Sequence, residues 1–155
     1  VLDQELKDLH RQGVCLHHLG NLNGIEPALQ KKVRDALELT RNNDRLILNV
    51  AFNYGGRAKI LHAVRQMLAD GVSPDELTEE LFSSYLFTAG LPDPDLVIRT
   101  SGELRVSNFL IWQAAYAEYV AAPEMWPDFG REELYAAIVE YSKRDRRYGG
   151  LSQKS

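Results

Sequence analysis

The residues best suited to chemistry in this sequence are two arginines, Arg99 and Arg105, in a stretch rich in small and hydroxyl side chains. The apolar run 96–98 is typical of a buried strand, and it stops at Arg99. Ligands of open α/β sheets bind beyond the carboxyl ends of the strands, where Arg99 falls. Because guanidinium groups bind phosphate oxygens through paired hydrogen bonds, the pattern predicts a site for a phosphate or diphosphate.

The loop after this strand offers further donors. Residues 100–102, Thr-Ser-Gly, suit a turn whose backbone N–H groups face a ligand. Arg105 and Ser107 are two residues apart, so an extended backbone would point both side chains to one side. The alternative is that both arginines are solvated and pair with Glu103 or Asp95. The residues alone leave both interpretations open.

A second candidate is Glu118, the one acid in the apolar stretch that begins at Phe109. A carboxylate in such surroundings needs a partner, which is an arginine, a backbone cap or a metal ion. An ion-paired glutamate and a metal-binding glutamate are both compatible with this pattern.

Three further titratable residues lie in the predicted strand 14–19. His17 and His18 are neighbours, and neighbouring side chains of a strand face opposite ways, so they cannot form a metal pair by themselves. We expect one to be packed and the other exposed. Cys15 lies in an apolar run and is interpreted as a core residue.

The composition is that of an ordinary water-soluble domain. The chain has 155 residues, 45% of them hydrophobic, and a net charge of −4, which argues against a general nucleic-acid binder. Its lone cysteine excludes an intrachain disulfide and fits a reducing compartment. No apolar run is long enough to span a bilayer.

Strands and helices are predicted to alternate, which indicates an α/β fold with a mainly parallel sheet flanked by helices, in a single domain over residues 1–155. The run 46–52 is almost entirely apolar and is predicted to be a central strand. The glycine turn 53–57 that follows is either an anion-binding helix start or simply a tight turn. Helices are predicted over residues 1–12, 27–41, 73–85 and 131–144. Another helix is predicted directly after the glycine turn, and it carries the apolar residues from Ile60 to Leu68.

Several long motifs of the sequence resemble a known family. The segments 95–103, 105–113, 115–118 and 126–129 resemble the C-terminal signature of the cis-prenyltransferases, of which undecaprenyl diphosphate synthase is the bacterial type. The glycine turn and the segments 38–43 and 146–150 are similar to other family markers. Together these motifs extend over essentially the whole chain.

The resemblance implies an activity and a set of roles. Family members add isopentenyl diphosphate to an allylic diphosphate, usually farnesyl diphosphate, to make polyprenyl diphosphates such as the undecaprenyl carrier of cell-wall synthesis. They require magnesium. By resemblance Arg99, Arg105 and Ser107 hold the diphosphate of isopentenyl diphosphate, and Glu118 serves the magnesium site. Arg147 and Gly149, in an Arg-x-Gly run, reach a diphosphate across a homodimer interface.

This sequence departs from the family pattern in two places. Some members carry a metal-binding histidine at the position of Leu104, which cannot bind a metal. The family's run resembling Asp-Gly-Asn-Gly-Arg-Trp, with its catalytic aspartate, does not occur in these 155 residues. We therefore expect the chain to be the C-terminal part of the enzyme, with the catalytic aspartate upstream of Val1.

Two functional hypotheses follow from the resemblance. The first is a prenyl-chain elongating enzyme located in the cytoplasm, with peripheral contact at the inner face of the membrane through its lipid product as an open alternative. The second is a non-catalytic scaffold or partner subunit of the same fold. The first is favoured because a scaffold has no chemical need for Arg99, Arg105, Ser107 and Glu118 together.

Overall fold

A computed structural model describes residues 2–144 of the chain. The chain divides into two compact units, Val1–Ala89 and Gly90–Ser155, and each is considered by itself. Each unit contains one pair of parallel strands accompanied by helices. The predicted α/β class with parallel strands is therefore confirmed, while the single domain stays a prediction.

The first unit is built on the parallel pair β1 and β2, in which Val14 lies opposite Leu46 and Leu19 opposite Ala51. Helices α1 and α2 both contact β1. The elements of this unit are α1 (Leu2–Arg11), β1 (Val14–Leu19), α2 (Pro27–Thr40), β2 (Leu46–Ala51), α3 (Gly56–Ala69), a 3₁₀ turn (Pro74–Glu76) and α4 (Glu79–Ser84).

One buried hydroxyl ties α2 to β1. Thr40, at the end of α2, is fully buried. Its Oγ1 donates to the carbonyl of Ala36 at 2.9 Å and accepts from the backbone N–H of Leu16 at 3.1 Å. Because a buried hydroxyl needs partners, these bonds set the distance between the helix and the strand.

The loops that follow β1 and β2 are bonded to each other. A Cβ on Gly20 would lie 2.0 Å from the carbonyl oxygen of Phe52, so only glycine permits this approach. Asn53, in the left-handed region with φ 51°, donates through Nδ2 to the carbonyl of Asn21 at 2.8 Å. These contacts hold the two loops together, and both interpretations of the glycine turn, an anion-binding helix start and a tight turn, stay open.

The prediction that β2 is a buried central strand is wrong for this chain. All six of its residues are exposed, including Leu46 at 57% and Ile47 at 51%. Among the described residues β2 pairs with β1 alone. An apolar strand is favoured where other elements bury it, but none of the described elements buries β2.

The helix predicted over residues 73–85 is interrupted. Ser73 and Glu76 form the expected capping box around a 3₁₀ turn, but Leu77 is extended. The hydroxyl of Thr78 then accepts from the N–H of Leu81 at 3.1 Å and caps a new helix, α4. Two capping signals five residues apart thus produced two short elements instead of one helix.

The second unit is built on the parallel pair β3 and β4. Leu96 lies opposite Glu118, and Arg99 lies opposite Ala121. Helix α5 contacts β4. The elements are β3 (Leu96–Arg99), β4 (Glu118–Ala121), a 3₁₀ turn (Trp126–Asp128) and α5 (Arg131–Ser142). In the part of the chain described, no helix is long and apolar enough to cross a bilayer.

Candidate functional site

Arg99 is the last residue of β3, at the carboxyl end where it was predicted. Its carbonyl accepts from the N–H of Ala122 at 2.7 Å, which extends the strand pairing by one bond. Ser101 and Gly102 follow in the left-handed region, with φ 63° and φ 64°. Their N–H groups donate to the carbonyls of Glu124 at 2.7 Å and Ala122 at 2.9 Å. The prediction that these N–H groups face a ligand is therefore wrong, because they anchor the turn.

Both candidate arginines bind one carboxylate. Arg99 donates through Nη2 to Oε2 of Glu103 at 2.8 Å, and Arg105 donates through Nη2 to Oε1 of the same residue. The side chain of Arg99 is 30% exposed and that of Arg105 is 70% exposed. The pairing that was left open as the alternative is thus present. Two cations around one anion still leave a net positive charge for an anionic ligand.

Arg99 is not fully satisfied by this pairing. Its Nε is buried and has no hydrogen-bond partner within the described residues. A buried donor without an acceptor is unfavourable by roughly 1–3 kcal/mol, more when it is charged. Glu103 therefore does not satisfy every donor of this guanidinium group.

The backbone beyond Arg105 is not extended. Ser107 and Asn108 are both left-handed, with φ 50° and φ 62°, and the N–H of Phe109 donates to the carbonyl of Val106 at 3.1 Å. Ser107 is therefore not extended, as the prediction for the run from Arg105 to Ser107 required. Adjacent left-handed residues that are not glycine are unfavourable, and such strain concentrates at ligand sites.

Glu118 begins β4 and is paired with an arginine. Its N–H donates to the carbonyl of Asp95 at 2.9 Å. Its Oε2 accepts from Nη1 of Arg144 at 3.0 Å, and Arg144 also donates through Nη2 to Glu140. The hydrogen bond to Glu118, followed by that to Glu140, raises the pKa of the Arg144 guanidinium above its ordinary value. One cation lies between two anions, the reverse of the arrangement at Glu103.

The two charged groups lie at opposite ends and on opposite faces of the β3–β4 pair. Glu118 is opposite Leu96, whereas Arg99 is three residues further along β3, a step of about 10 Å. Side chains alternate along a strand, so Glu118 shares a face with Val120, and Arg99 lies on the other face. The structure therefore brings Arg99, Arg105 and Glu103 together and does not bring Glu118 to them.

Glu118 by itself would supply only part of the predicted magnesium site. The described residues contain no group of three or more histidine, cysteine, aspartate or glutamate side chains that could hold a metal ion. Magnesium is commonly bound by one or two carboxylates, with substrate phosphates and water as its other ligands. A single carboxylate fits that pattern, provided that the ion replaces Arg144. Leu104, at the position of the family's histidine, is 72% exposed.

A cavity of about 330 Å³ lies between β4 and α5. Its lining includes Val120 and Ala137, both buried, and four glutamates. The sequence patterns did not predict the cavity because its lining combines residues from separate segments. The lining carboxylates belong to Glu124, Glu132, Glu133 and Glu140.

Lys59 is a buried cation that the sequence analysis missed. It is 7% exposed, and its Nζ lies 3.3 Å from the centroid of the Phe87 ring. Burial lowers the pKa of the ammonium group. The available signal was spacing, because Lys59, Ala63 and Met67 recur every four residues and all three are buried.

The remaining candidates of the first unit behave as predicted. Cys15 is buried, and its Sγ lies 3.7 Å from Nε2 of His17. His17 is exposed, while His18 is half-buried with Nε2 3.0 Å from the carbonyl oxygen of Phe52. The two histidines therefore do not form a pair. Arg147 and Gly149, predicted to reach a diphosphate in a dimer, lie outside the described residues.

Comparison with known proteins identifies relatives over nearly the whole chain. A family model described as putative undecaprenyl diphosphate synthase matches residues 1–149. An isoprenyl transferase of Heliobacterium mobile is 49% identical over 154 residues, covering 97% of this chain and 59% of the relative. An isoprenyl transferase of Thermotoga maritima is 48% identical, with 97% of this chain and 66% of the relative covered. The chain thus spans about three fifths of the length of these relatives.

Two solved structures share the fold. Lavandulyl diphosphate synthase from Lavandula x intermedia, crystallised with dimethylallyl diphosphate, superimposes with a TM-score of 0.90 at 33% identity, over 96% of this chain and 66% of that one. A probable undecaprenyl diphosphate synthase from Campylobacter jejuni gives 0.84 at 30% identity, over 96% of this chain and 69% of that one. Sequence motifs, family match and fold agree, and the chain belongs to the cis-prenyltransferase family.

Proposed function

We propose that this chain is part of an enzyme that elongates an allylic diphosphate, such as farnesyl diphosphate, with isopentenyl diphosphate. A carbon–carbon bond forms between the two substrates, the allylic diphosphate group leaves, and a proton is lost from the isopentenyl unit. The product is a polyprenyl diphosphate, of which undecaprenyl diphosphate is one example. The chain covers 59% of the length of its Heliobacterium mobile relative, so the activity is proposed for the whole protein.

The observation that carries the proposal is the convergence of Arg99 and Arg105 on one point, the carboxylate of Glu103. Two guanidinium groups that can reach one anion can also hold the diphosphate of isopentenyl diphosphate. Glu103 leaves the buried Nε of Arg99 without a hydrogen-bond partner among the described residues. In this role the arginines fix the substrate in position, which lowers the entropic barrier to reaction. Ser107 is proposed to donate its hydroxyl to the same diphosphate.

Magnesium is the proposed cofactor, with Glu118 as its ligand from this chain. When bound, the ion supplies charge neutralisation for diphosphate oxygens. Glu118 would exchange Arg144 for the ion, and phosphate oxygens and water would complete the coordination. Because Glu118 and Arg99 are separated on the sheet, we propose that they serve different diphosphate groups.

A homodimer is the proposed assembly, in which Arg147 and Gly149 would contact a diphosphate across the interface. The proposed location is the cytoplasm, with peripheral membrane contact through the lipid product. Nucleic acid is not a proposed partner, since the chain carries a net charge of −4.

The test of the proposed function is incorporation of labelled isopentenyl diphosphate by the full-length protein. With farnesyl diphosphate and magnesium we expect labelled, solvent-extractable prenyl diphosphates, and none after magnesium is chelated. The scaffold hypothesis predicts no incorporation by the purified protein under any of these conditions. It predicts instead that the protein raises the activity of a separate catalytic subunit.

A further inference from the structure

The carboxylate of Glu103 engages both arginines of the proposed diphosphate site. Its Oε2 is 2.8 Å from Nη2 of Arg99, and its Oε1 accepts from Nη2 of Arg105. Each arginine therefore donates one hydrogen bond to a carboxylate of the protein itself. A diphosphate that approaches the same guanidinium groups meets the negative charge of this carboxylate.

The turn before Glu103 builds this arrangement into the backbone. Two consecutive left-handed residues, Ser101 and Gly102, reverse the chain so that Glu103 returns to Arg99 four residues earlier. The N–H groups of both turn residues are bonded to carbonyls after β4. A left-handed serine is unfavourable unless its surroundings hold it, so the position of Glu103 is set by the fold.

We propose that Glu103 is a resident counter-ion of the arginine pair, which holds Arg99 and Arg105 in the ligand-free enzyme and is displaced from at least one of them by the diphosphate. The inference rests on the proposed function, because it requires that these arginines bind a diphosphate. Glu103 contacts each guanidinium group through one oxygen and leaves Nε of Arg99 unpaired. A diphosphate has more charge and more oxygens than a carboxylate, so it can replace both contacts.

The two possible roles of Glu103, a counter-ion and an orienting residue, predict opposite effects of its removal on substrate binding. If the diphosphate must displace Glu103, removal of its charge strengthens substrate binding. If Glu103 stays bound and aims the arginines, removal of its charge weakens substrate binding. In either case Glu103 acts through the arginines and is a positioning residue.

The experiment is calorimetric titration of the full-length protein with inorganic pyrophosphate and, separately, with isopentenyl diphosphate. Glu103→Gln should bind both ligands about two- to tenfold more tightly, the range expected when two partly exposed ion pairs no longer compete. Its KM for isopentenyl diphosphate should fall while kcat does not rise. Its affinity should also depend more steeply on salt, because the site gains one positive charge. Unchanged or weaker binding by a normally folded Glu103→Gln would overturn the inference.

The controls separate this inference from the proposed function. Glu38→Gln removes an exposed carboxylate paired with Arg41 at 2.7 Å and should leave ligand affinity unchanged. Glu103→Ala provides a second uncharged variant, expected to bind more tightly as well. If Arg105→Gln leaves pyrophosphate affinity unchanged, the proposed role of the arginines is wrong. If Arg105→Gln weakens binding and neither Glu103 variant strengthens it, only the counter-ion role is wrong.

Discussion

The second unit contains two charged groups of opposite composition. At the carboxyl end of β3, one carboxylate lies between two arginines, Arg99 and Arg105. At the amino end of β4, Arg144 lies between two carboxylates, Glu118 and Glu140. The first group has an excess of positive charge and suits an anion, and the second has an excess of negative charge and suits a cation. The same residue types thus favour opposite ligands through their ratio and placement.

The two groups also differ in how they are built. Glu103 is within six residues of both of its partners, on a turn whose backbone conformation is unusual for serine. Arg144 lies beyond α5 and is 26 residues from Glu118. A local cluster can be recognised from sequence spacing, whereas the long-range pair depends on the path of a helix.

The largest effect is expected from the arginine group. In the full-length enzyme, Arg99→Ala or Arg105→Ala should each raise the KM for isopentenyl diphosphate by about tenfold or more, since a charge-assisted contact contributes roughly 1.5–3 kcal/mol. Turnover should also fall, while melting temperatures should change little. Steady-state kinetics measure the KM and turnover, and melting curves measure the stability of each variant. Kinetic constants that match the wild type in both variants would mean that these are ordinary solvated arginines.

An intermediate effect is expected at Glu118. Glu118→Gln should raise the magnesium concentration for half-maximal activity by about tenfold, the lower end of the losses seen when metal sites are altered. Loss of the ion pair with Arg144 should lower the melting temperature by no more than about 2–4 °C. Glu140→Gln is the matched control, because it removes the other carboxylate that Arg144 binds. A variant that melts far lower yet keeps the normal magnesium requirement would identify Glu118 as a structural ion-pair partner.

The smallest effect is expected at Arg144. If magnesium replaces Arg144 at Glu118, Arg144→Gln should lower the half-saturating magnesium concentration by about two- to fivefold, the amount that a partly exposed ion pair can contribute. This decrease in half-saturating magnesium concentration is opposite in sign to the increase expected for Glu118→Gln. Magnesium-dependent shifts in melting temperature measure the change in each variant. An increased magnesium requirement in Arg144→Gln would show that this arginine supports the metal site and does not compete with it.

Features that depend on neighbouring residues were predicted from the sequence, whereas features that depend on residues distant in the sequence were not. The boundaries of β1 and the placement of Arg99 at a strand end were predicted because local periodicity and turn residues specify them. The exposure of β2 was not predicted, because apolar composition does not say which elements are present to cover a strand. The conformation of Ser107 was missed because a left-handed serine is stabilised by surroundings that spacing does not reveal. An arginine was among the predicted alternatives for the partner of Glu118, but Arg144 was not identified because α5 lies between the two residues in the sequence.

We propose that the diphosphate of isopentenyl diphosphate binds to the arginine pair around Glu103, and not to the group in which Arg144 lies between two glutamates. The most direct test is calorimetric titration of that ligand into full-length Arg99→Gln and Arg144→Gln, without allylic substrate. Each variant loses one guanidinium group and one positive charge, so the pair is matched. We expect the affinity for isopentenyl diphosphate to fall by about tenfold or more in Arg99→Gln and to stay within about twofold of wild type in Arg144→Gln. Equal losses in the two variants, or a loss confined to Arg144→Gln, would contradict it.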